Sequence, residues 1–253
     1  MSSENTNTFT KENLNTYLSE VAKQYRKLAG KAMPAEIILV GGAAVLANYG
    51  FRDMTTDVDA LIHASSAMKD AINFVGDKYG LSNGWLNADF RKTVSFSEKL
   101  LQFSDYYRTF SNVLRVRTVN AEYLVAMKLI SGRQYKNDLS DVIGILAEHQ
   151  ERSEPLTLAQ IHRAVVELYG SWEVLSATSQ SFIRSAMEHP DLREVYARIR
   201  QNELEAKATL VSFEQRYPGV TTMENVDDIL ANLRSNEQSK NSLLASLRAR
   251  KKE

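Results

Sequence analysis

The chain has 253 residues, of which 43% are hydrophobic and 25% charged, a composition typical of folded proteins that excludes disordered and fibrous classes. Lysine plus arginine and aspartate plus glutamate both number 31, so the formal net charge of +0 gives no overall attraction to nucleic acid or membrane. Because there is no cysteine, disulfides, thiol catalysis and cysteine-ligated metals are excluded. The length suits one large domain or two modest ones.

The sequence shows neither a targeting segment nor a histidine motif for metal binding. The amino terminus has no apolar leader segment, and no apolar run approaches the ~20 residues that span a bilayer, so we expect a cytoplasmic protein with no membrane partner. The four histidines have neither HxxH nor HExxH spacing, which argues against a histidine-based metal site.

The first predicted elements alternate between helix and strand. A helix ending near Gly30 is followed by a β-branched strand at 36–40, and Gly41-Gly42 then opens a short helix. A second strand is predicted over 55–62, and a further helix begins after Ser65 or Ser66. The apolar stripes of the two longer helices are Leu14, Leu18, Val21, Tyr25 and Leu28 in the first, and Met68, Ile72, Val75 and Tyr79 in the second.

The pattern weakens between residues 81 and 112. TVSFS at 93–97 is the best strand candidate there, and FSDYYRTF at 103–110 has no assignment. VLRVRTV at 113–119 alternates apolar and basic residues, which predicts a strand, and Asn120 then caps a helix.

The rest of the chain is predicted to be helical. Asn137 caps a helix that runs to about 150, and no strand is expected beyond about 155. Thr221 and Glu224 have capping-box spacing before a last helix. The predicted apolar stripes are Ile161, Val165, Leu168; Phe182, Ile183, Met187; and Val226, Ile229, Leu230, Leu233. We therefore expect an α/β (α+β) fold with a small mixed-sheet domain at 1–150 and an all-helical domain at 151–253.

Two carboxylates lie close together on the second predicted strand. Asp57 and Asp59 are two residues apart, and strand side chains alternate, so both project from one face. Two adjacent anions repel each other, whereas a shared Mg²⁺ neutralises both and leaves coordination positions for substrate phosphates. A solvated pair at a strand edge is the alternative.

The glycine pair supplies a second feature on the preceding strand. Gly42 ends a strand and opens a helix, and a backbone without Cβ lets a phosphate approach the N–H groups at the positive helix end. Strand, glycine pair and helix, followed by strand and DxD, predict an anion cradle beside a metal site.

These residues carry a family resemblance. LVGGAAVLANYGFRDMTTDVDALI resembles the signature of the nucleotidyltransferase superfamily with the DNA-polymerase-β-like fold, which places a glycine pair at a helix start and DxD on the next strand. The later stretch YLVAMKLISGRQYKNDLSDVIGIL resembles the lysine and aspartate motifs of bacterial AbiEii and minimal-nucleotidyltransferase-like families, which often belong to toxin–antitoxin or abortive-infection systems. The resemblance covers about residues 36–146.

The resemblance implies transfer of a nucleoside monophosphate from an NTP, with release of pyrophosphate. It assigns the acidic pair to Mg²⁺ (or Mn²⁺), and the remaining roles fall on residues that match the motifs. Asp57, Asp59, Lys128, Asp138 and Asp141 are the expected catalytic residues, and Gly41, Gly42, Thr56, Lys128 and Arg133 are the expected nucleotide-binding residues.

One departure concerns the third metal carboxylate, which many such enzymes place on a following strand. VLRVRTV carries Arg115 and Arg117 but no acid, and Asp89 and Glu98 are the nearby alternatives. Either Asp138 or Asp141 supplies the carboxylate, or metal-dependent chemistry is compromised. The two arginines either point to solvent or bind the backbone of a nucleic-acid acceptor.

The acceptor and the partners stay open at this level. The acceptor is tRNA, a partner protein, a small molecule or the protein itself. The rival interpretation is a catalytically weak nucleotide-binding module that acts through a protein partner, such as the other half of a toxin–antitoxin pair.

Overall fold

The computed structural model describes residues 8–222 and 225–233. Five strands form one sheet: β1 Ala35–Leu39, β2 Val58–His63, β3 Leu86–Asn87, β4 Ser104–Phe110 and β5 Leu114–Val119. The longer helices are α1 Lys11–Ala29, α2 Gly41–Asn48, α3 Ala67–Tyr79, α4 Ala121–Ser131, α5 Asp138–Glu151, α6 Leu158–Tyr169, α7 Ala177–Glu188 and α8 Leu192–Arg216. A last helical segment covers 226–233.

The sheet is mixed, with strand order β3-β2-β1-β5-β4. β1 runs antiparallel to β2 and parallel to β5, and Leu39 lies opposite both Ala60 and Thr118. This register brings the end of β1, the start of β2 and the end of β5 to one edge of the sheet. The predicted α/β class, with a small mixed sheet followed by helices, is confirmed.

The predicted stripes of α1 and α3 are part of the core, with two exceptions. Leu14, Leu18, Val21 and Tyr25 of α1 are buried, as are Met68, Ile72 and Val75 of α3. The prediction is wrong for Leu28 and Tyr79, which are 50% and 38% exposed. Both lie in the last turn of their helices, and the ring of Tyr79 contacts part of α1, at Tyr17.

The second strand begins later than predicted. β2 starts at Val58, so Asp57 immediately precedes the strand and only Asp59 belongs to it. The backbone of Thr55 instead pairs with Phe9 through reciprocal hydrogen bonds of 2.8 and 2.9 Å. The segment before β2 is thus fixed by the entry to α1.

The predicted strand at 93–97 is wrong. These residues lie between two short 3-10 helices, and Val94 is 70% exposed. The strand is β4, which lies within the unassigned FSDYYRTF. Ser104 and Phe110 are its only buried residues, so the sequence shows no alternating pattern. Pairing with β5 across a turn at Ser111 and Asn112, both with positive φ, defines this strand.

Beyond β5, the described residues contain helices and no strand, as predicted. One hydrophobic cluster extends from Phe9 to Val195, and a small second cluster comprises Ala206, Leu210, Val226 and Leu230. The division at residue 150 stays a prediction, and Glu224 of the predicted capping box lies outside the described residues. Among the described helices, none is long and apolar enough to cross a bilayer.

Gly144 on α5 gives a first stability prediction. A Cβ at this position would lie 2.5 to 2.6 Å from ring atoms of Phe51, which packs between Tyr49 and Tyr196. We expect Gly144→Ala to lower the free energy of unfolding by about 1–3 kcal/mol through overpacking. Gly50→Ala is the control, because nothing lies within 4 Å of its added Cβ. Equal urea midpoints for the two variants would contradict this packing.

Candidate active site

A cavity of about 320 Å³ opens at the sheet edge where β1 ends and β2 begins. Its lining joins acidic, cationic and apolar groups from the segment before β2, from the α4–α5 connection and from α8. The lining residues are Gly42, Arg52, Thr55, Thr56, Asp57, Asp59, Lys128, Arg133, Tyr135, Lys136, Asn137, Asp138, Lys207, Leu210 and Val211.

Asp57 and Asp59, here called the acidic pair, both line this cavity. Asp57 is exposed and its Oδ2 accepts a 3.3 Å hydrogen bond from Thr56 Oγ1. Burial raises the pKa of the half-buried Asp59, and the neighbouring Asp57 raises it further. Neither carboxylate forms an ion pair with a residue in the described part of the chain. The cations Lys136, Lys128 and Arg133 act in the opposite direction on Asp59, without forming an ion pair with it.

The glycine pair lies beside the acidic pair. The amide of Val40 donates a 3.0 Å hydrogen bond to the Asp59 carbonyl, which joins the end of β1 to the start of β2. Gly41 has φ +52°, and a Cβ there would lie 3.9 Å from Asp59 Oδ2. A Cβ on Gly42 would lie 2.7 Å from Thr55 Oγ1 and 2.9 Å from Arg52 Nη2. The side chains of Thr55 and Arg52 therefore occupy the space that a side chain at residue 42 would need.

A buried ion-pair network forms the floor of the site. Lys128 Nζ on α4 lies 2.8 Å from both Asp138 Oδ1 and Asp141 Oδ2 of α5. Arg133 Nε contacts Asp138 Oδ2 at 2.7 Å, and Arg52 Nη1 contacts Asp141 Oδ2 at 2.5 Å. Both carboxylates are at most 2% exposed. The sequence prediction had singled out every member of this network except Arg52.

The network favours the charged forms of Lys128 and Asp138. Burial opposes ionisation of Asp138, but Lys128 and Arg133 outweigh it and lower the pKa of this carboxyl. Burial likewise opposes the charge on Lys128, yet Asp138 and Asp141 raise its pKa overall. Asp138 pairs with Lys128 and Arg133, and Asp141 pairs with Lys128 and Arg52. Both carboxylates therefore act as ion-pair partners in this structure.

The arginines of β5 do not contact the acidic pair. Arg117 lies opposite Ile38, which lies opposite Leu61, so Arg117 is level with Leu61 and not with Asp59. Its guanidinium contacts Glu36 and the carbonyl of Ser104. Arg115 is exposed and lies over the ring of Tyr106. These arginines therefore do not compete with a metal ion for the acidic pair.

Several lining residues had no sequence signal. Arg52 and Lys136 stand in irregular segments, and Lys207, Leu210 and Val211 belong to α8, about 150 residues from the DxD pattern. Tyr135 packs against the small cluster that contains Leu210. Their proximity to the acidic pair follows from packing of α8 on α5, a long-range contact that spacing cannot predict.

Glu203 fixes α8 against α5. Asn137 precedes α5 as predicted but makes no side-chain capping bond. Instead, Glu203 Oε1 accepts hydrogen bonds from the amides of Leu139 (3.0 Å) and Ser140 (3.1 Å), and Oε2 accepts one from the Ser140 hydroxyl. A carboxylate from α8 thus caps the amino terminus of α5 and positions the α8 wall of the cavity.

This cap predicts a pH dependence of stability. Burial raises the pKa of Glu203 to about 7, because it outweighs the hydrogen bonds from Ser140 and Leu139. Between the ordinary value of 4.5 and about 7, the folded chain keeps a proton that the unfolded chain has lost. The contribution of Glu203 to the free energy of unfolding therefore falls as pH rises through that window.

Glu203→Gln tests this dependence, because the amide accepts from Leu139 and Ser140 but does not titrate. We expect the melting temperature of the variant to rise relative to wild type between about pH 5 and about pH 8. The measurement is thermal unfolding across this range. A difference that stays constant with pH would contradict the expected titration.

The acidic pair suits a divalent cation. Mg²⁺ is commonly bound by one or two carboxylates, with water and substrate phosphates completing its coordination. Asp57 and Asp59 supply two carboxylates without ion-pair partners among the described residues, on a cavity that is also lined by cationic side chains. Within 8–222 and 225–233, no group of three or more histidine, aspartate or glutamate residues could hold a metal.

A comparison with protein families matches the part of the chain that contains this site. Residues 16–149, just over half of the chain, match a family described as nucleotidyltransferase of unknown function (DUF6036). The match includes the glycine pair, the acidic pair and the whole ion-pair network. No curated protein and no solved structure matches the chain.

Proposed function

Because the chain belongs to the nucleotidyltransferase family DUF6036, we propose that it transfers a nucleoside monophosphate from an Mg²⁺-bound NTP to an acceptor. The observation that carries the proposal is the cavity itself, which joins the acidic pair, without ion-pair partners among the described residues, to cationic side chains. A bound Mg²⁺ held by Asp57 and Asp59 would supply charge neutralisation at the reacting phosphate. Mn²⁺ would serve by the same chemistry.

The cationic residues select a polyanion. Lys136 and Lys207 line the cavity with Lys128 and Arg133. Burial and the nearby Arg133 lower the pKa of Lys136, while Asp57, Asp138 and Asp59 act to raise it. An ammonium has three donors, so Lys128 keeps one after its bonds to Asp138 and Asp141. These residues would bind and orient the triphosphate by charge, in agreement with the roles expected for Lys128 and Arg133.

The reaction needs little covalent participation by the protein. A hydroxyl oxygen of the acceptor bonds to the α-phosphorus and releases its proton to water, the bond from that phosphorus to the bridging oxygen breaks, and pyrophosphate leaves with the electron pair. Leu210, Val211 and Tyr135 form an apolar wall that would shield the nucleoside from water. The protein contributes positioning and electrostatic stabilisation.

The ion-pair network gives Lys128 a second role. It joins the α4 lysine to α5 and holds Arg133 at the cavity, so loss of Lys128 would disturb both charge and geometry. We infer that Asp138 and Asp141 act as positioning residues, which hold Lys128, Arg133 and Arg52 for the nucleotide. With Asp138 and Asp141 in that role, the proposed metal site has two carboxylate ligands, Asp57 and Asp59, and no third.

The narrower resemblance belongs to the proposal as well. The AbiEii-like lysine and aspartate motifs correspond to the ion-pair network, in which Lys128, Arg133, Asp138 and Asp141 meet. A role within a toxin–antitoxin or abortive-infection system, with a protein partner and a tRNA or protein acceptor, stays a prediction from that resemblance.

The experiment follows the label from each α-labelled NTP after incubation of purified protein with Mg²⁺ and cell extract. Incorporation into RNA, protein or a small molecule, absent with the Asp57→Asn/Asp59→Asn double variant, would support the transferase and identify its acceptor class. Binding of Mg²⁺·NTP without incorporation of label would contradict transfer and favour the nucleotide-binding module.

A further inference from the structure

A second charged cavity lies between α1 and α3 and shares no lining residue with the active-site cavity. It has a volume of about 520 Å³. The charged residues described along it are five cations and one acid: Lys23, Arg26, Lys27, Lys31, Lys78 and Glu20. This cavity, here called the basic groove, concentrates positive charge on a chain whose formal net charge is +0.

Ion pairing leaves most of that charge uncompensated. Glu20 contacts Lys23 at 2.7 Å and Lys78 at 2.5 Å, and these two lysines lower its pKa to about 2. Within the described part of the chain, Lys27 and Lys31 form no ion pair and are exposed. The groove therefore presents several cations for a single carboxylate.

The groove is elongated. A further concavity of about 420 Å³ shares Glu20 and Lys23 with it and extends along α1 to Thr16, with Arg108 of β4 also in its lining. From Thr16 to Lys27 the helix rises about 17 Å, and Lys23 and Lys27 are spaced about 6 Å along its axis. Cations spaced along an elongated trough, among them Lys27, Lys23 and Arg108, suit a chain of spaced anions better than one phosphate group.

The groove also contains an exposed aromatic ring. Phe74 of α3 lines it and is 48% exposed. Cationic grooves that bind single-stranded nucleic acid combine backbone contacts with aromatic side chains on which unpaired bases stack. The acidic side chains of a peptide offer no such stacking group. A membrane surface would favour a broad apolar face, whereas Phe74 is the exposed apolar side chain described along the groove.

We propose that the basic groove binds the sugar–phosphate backbone of a single-stranded nucleic acid, with an unpaired base stacked on Phe74. This site goes beyond the proposed transfer reaction and does not depend on it. If transfer also holds, the groove would favour a nucleic-acid acceptor over a protein.

The test is fluorescence anisotropy with a labelled single-stranded RNA of about 12 nucleotides, and with DNA of the same sequence. We expect Lys27→Glu/Lys31→Glu to weaken binding at least about tenfold, and the neutral Lys27→Gln/Lys31→Gln to reduce the slope of log K against log salt by about 1.4. Phe74→Ala should weaken binding about fivefold or more. Equal binding of RNA and DNA would show that the 2′-hydroxyl adds no contact, whereas tighter binding of RNA would show that it does; both agree with the proposal.

The control is Arg184→Glu/Arg198→Glu, which changes the net charge equally on exposed residues of α7 and α8. It should leave the affinity within about twofold, as expected for a change outside the contact surface. Equal weakening by both charge-reversal variants would overturn the proposal, as would no binding of the oligonucleotides by folded wild type. Binding of polyglutamate or anionic vesicles in their place would also overturn it.

Because the groove and the acidic pair are separate, Asp57→Asn/Asp59→Asn should bind the oligonucleotide as wild type does.

Discussion

Asp57→Asn and Asp59→Asn are each expected to reduce the rate of nucleotide transfer by about 10²- to 10³-fold, the usual loss when one preorganised electrostatic contact to a transition state is removed. Both carboxylates line the same cavity, and neither has an ion-pair partner among the described residues. In the proposed reaction both would ligate the metal, so neither should replace the other.

The same substitutions should leave the fold intact. Burial and Asp57 both raise the pKa of Asp59, so its ionised form is disfavoured in the folded chain. An uncharged amide removes that cost, and we expect Asp59→Asn to melt at or above the wild-type temperature. Loss of activity with unchanged or greater stability is characteristic of a residue retained for function.

Asp53→Asn is the matched control for this pair. Asp53 is an exposed carboxylate four residues before Asp57, and it lines a neighbouring cavity. It should retain wild-type transfer. Wild-type activity in either Asp57→Asn or Asp59→Asn would remove the acidic pair from the mechanism.

Lys128→Met is expected to lower the free energy of unfolding by about 3–5 kcal/mol, because it leaves buried carboxylates without their shared cation. Asp138 and Asp141 are 0% and 2% exposed, and Lys128 Nζ lies 2.8 Å from each. Arg133 and Arg52 would still contact one carboxylate each, which limits the loss. Urea denaturation measures the change.

Lys207→Met separates this effect from general charge loss. Lys207 lines the same cavity but is exposed, and its substitution should change stability by no more than about 0.5 kcal/mol. A small loss for Lys128→Met, similar to that for Lys207→Met, would show that Lys128 does not stabilise the network. Lys128 would then act on the nucleotide alone.

Much of the fold could be predicted from local patterns. Apolar spacing located α1 and α3, and the β-branched run located β1, because buried faces impose periodicity on the sequence. β4 could not be predicted, since only its two terminal residues are buried and its pairing with β5 defines it. Leu28 shows the converse case of an apolar residue that continues a helical stripe beyond the packed surface.

The site was predictable to the extent that its residues are close in sequence. The glycine pair and the acidic pair flank one short helix, so their proximity follows from β1 and β2 pairing side by side. The spacing of Lys128, Asp138 and Asp141 gave candidates but did not reveal that they neutralise one another. Glu203 and Lys207 reach the site only through packing of α8 on α5. Long-range packing of this kind leaves no local signature.

The most direct test of the central claim uses parallel reactions with NTP labelled at the α- or the γ-phosphate. Each contains Mg²⁺ and the acceptor class that the α-label experiment in cell extract identifies. Nucleotidyl transfer at the acidic pair predicts that α-label enters the acceptor while γ-label leaves in pyrophosphate, in equal amounts. Entry of γ-label into the acceptor, or its release as inorganic phosphate without incorporation of α-label, would contradict it.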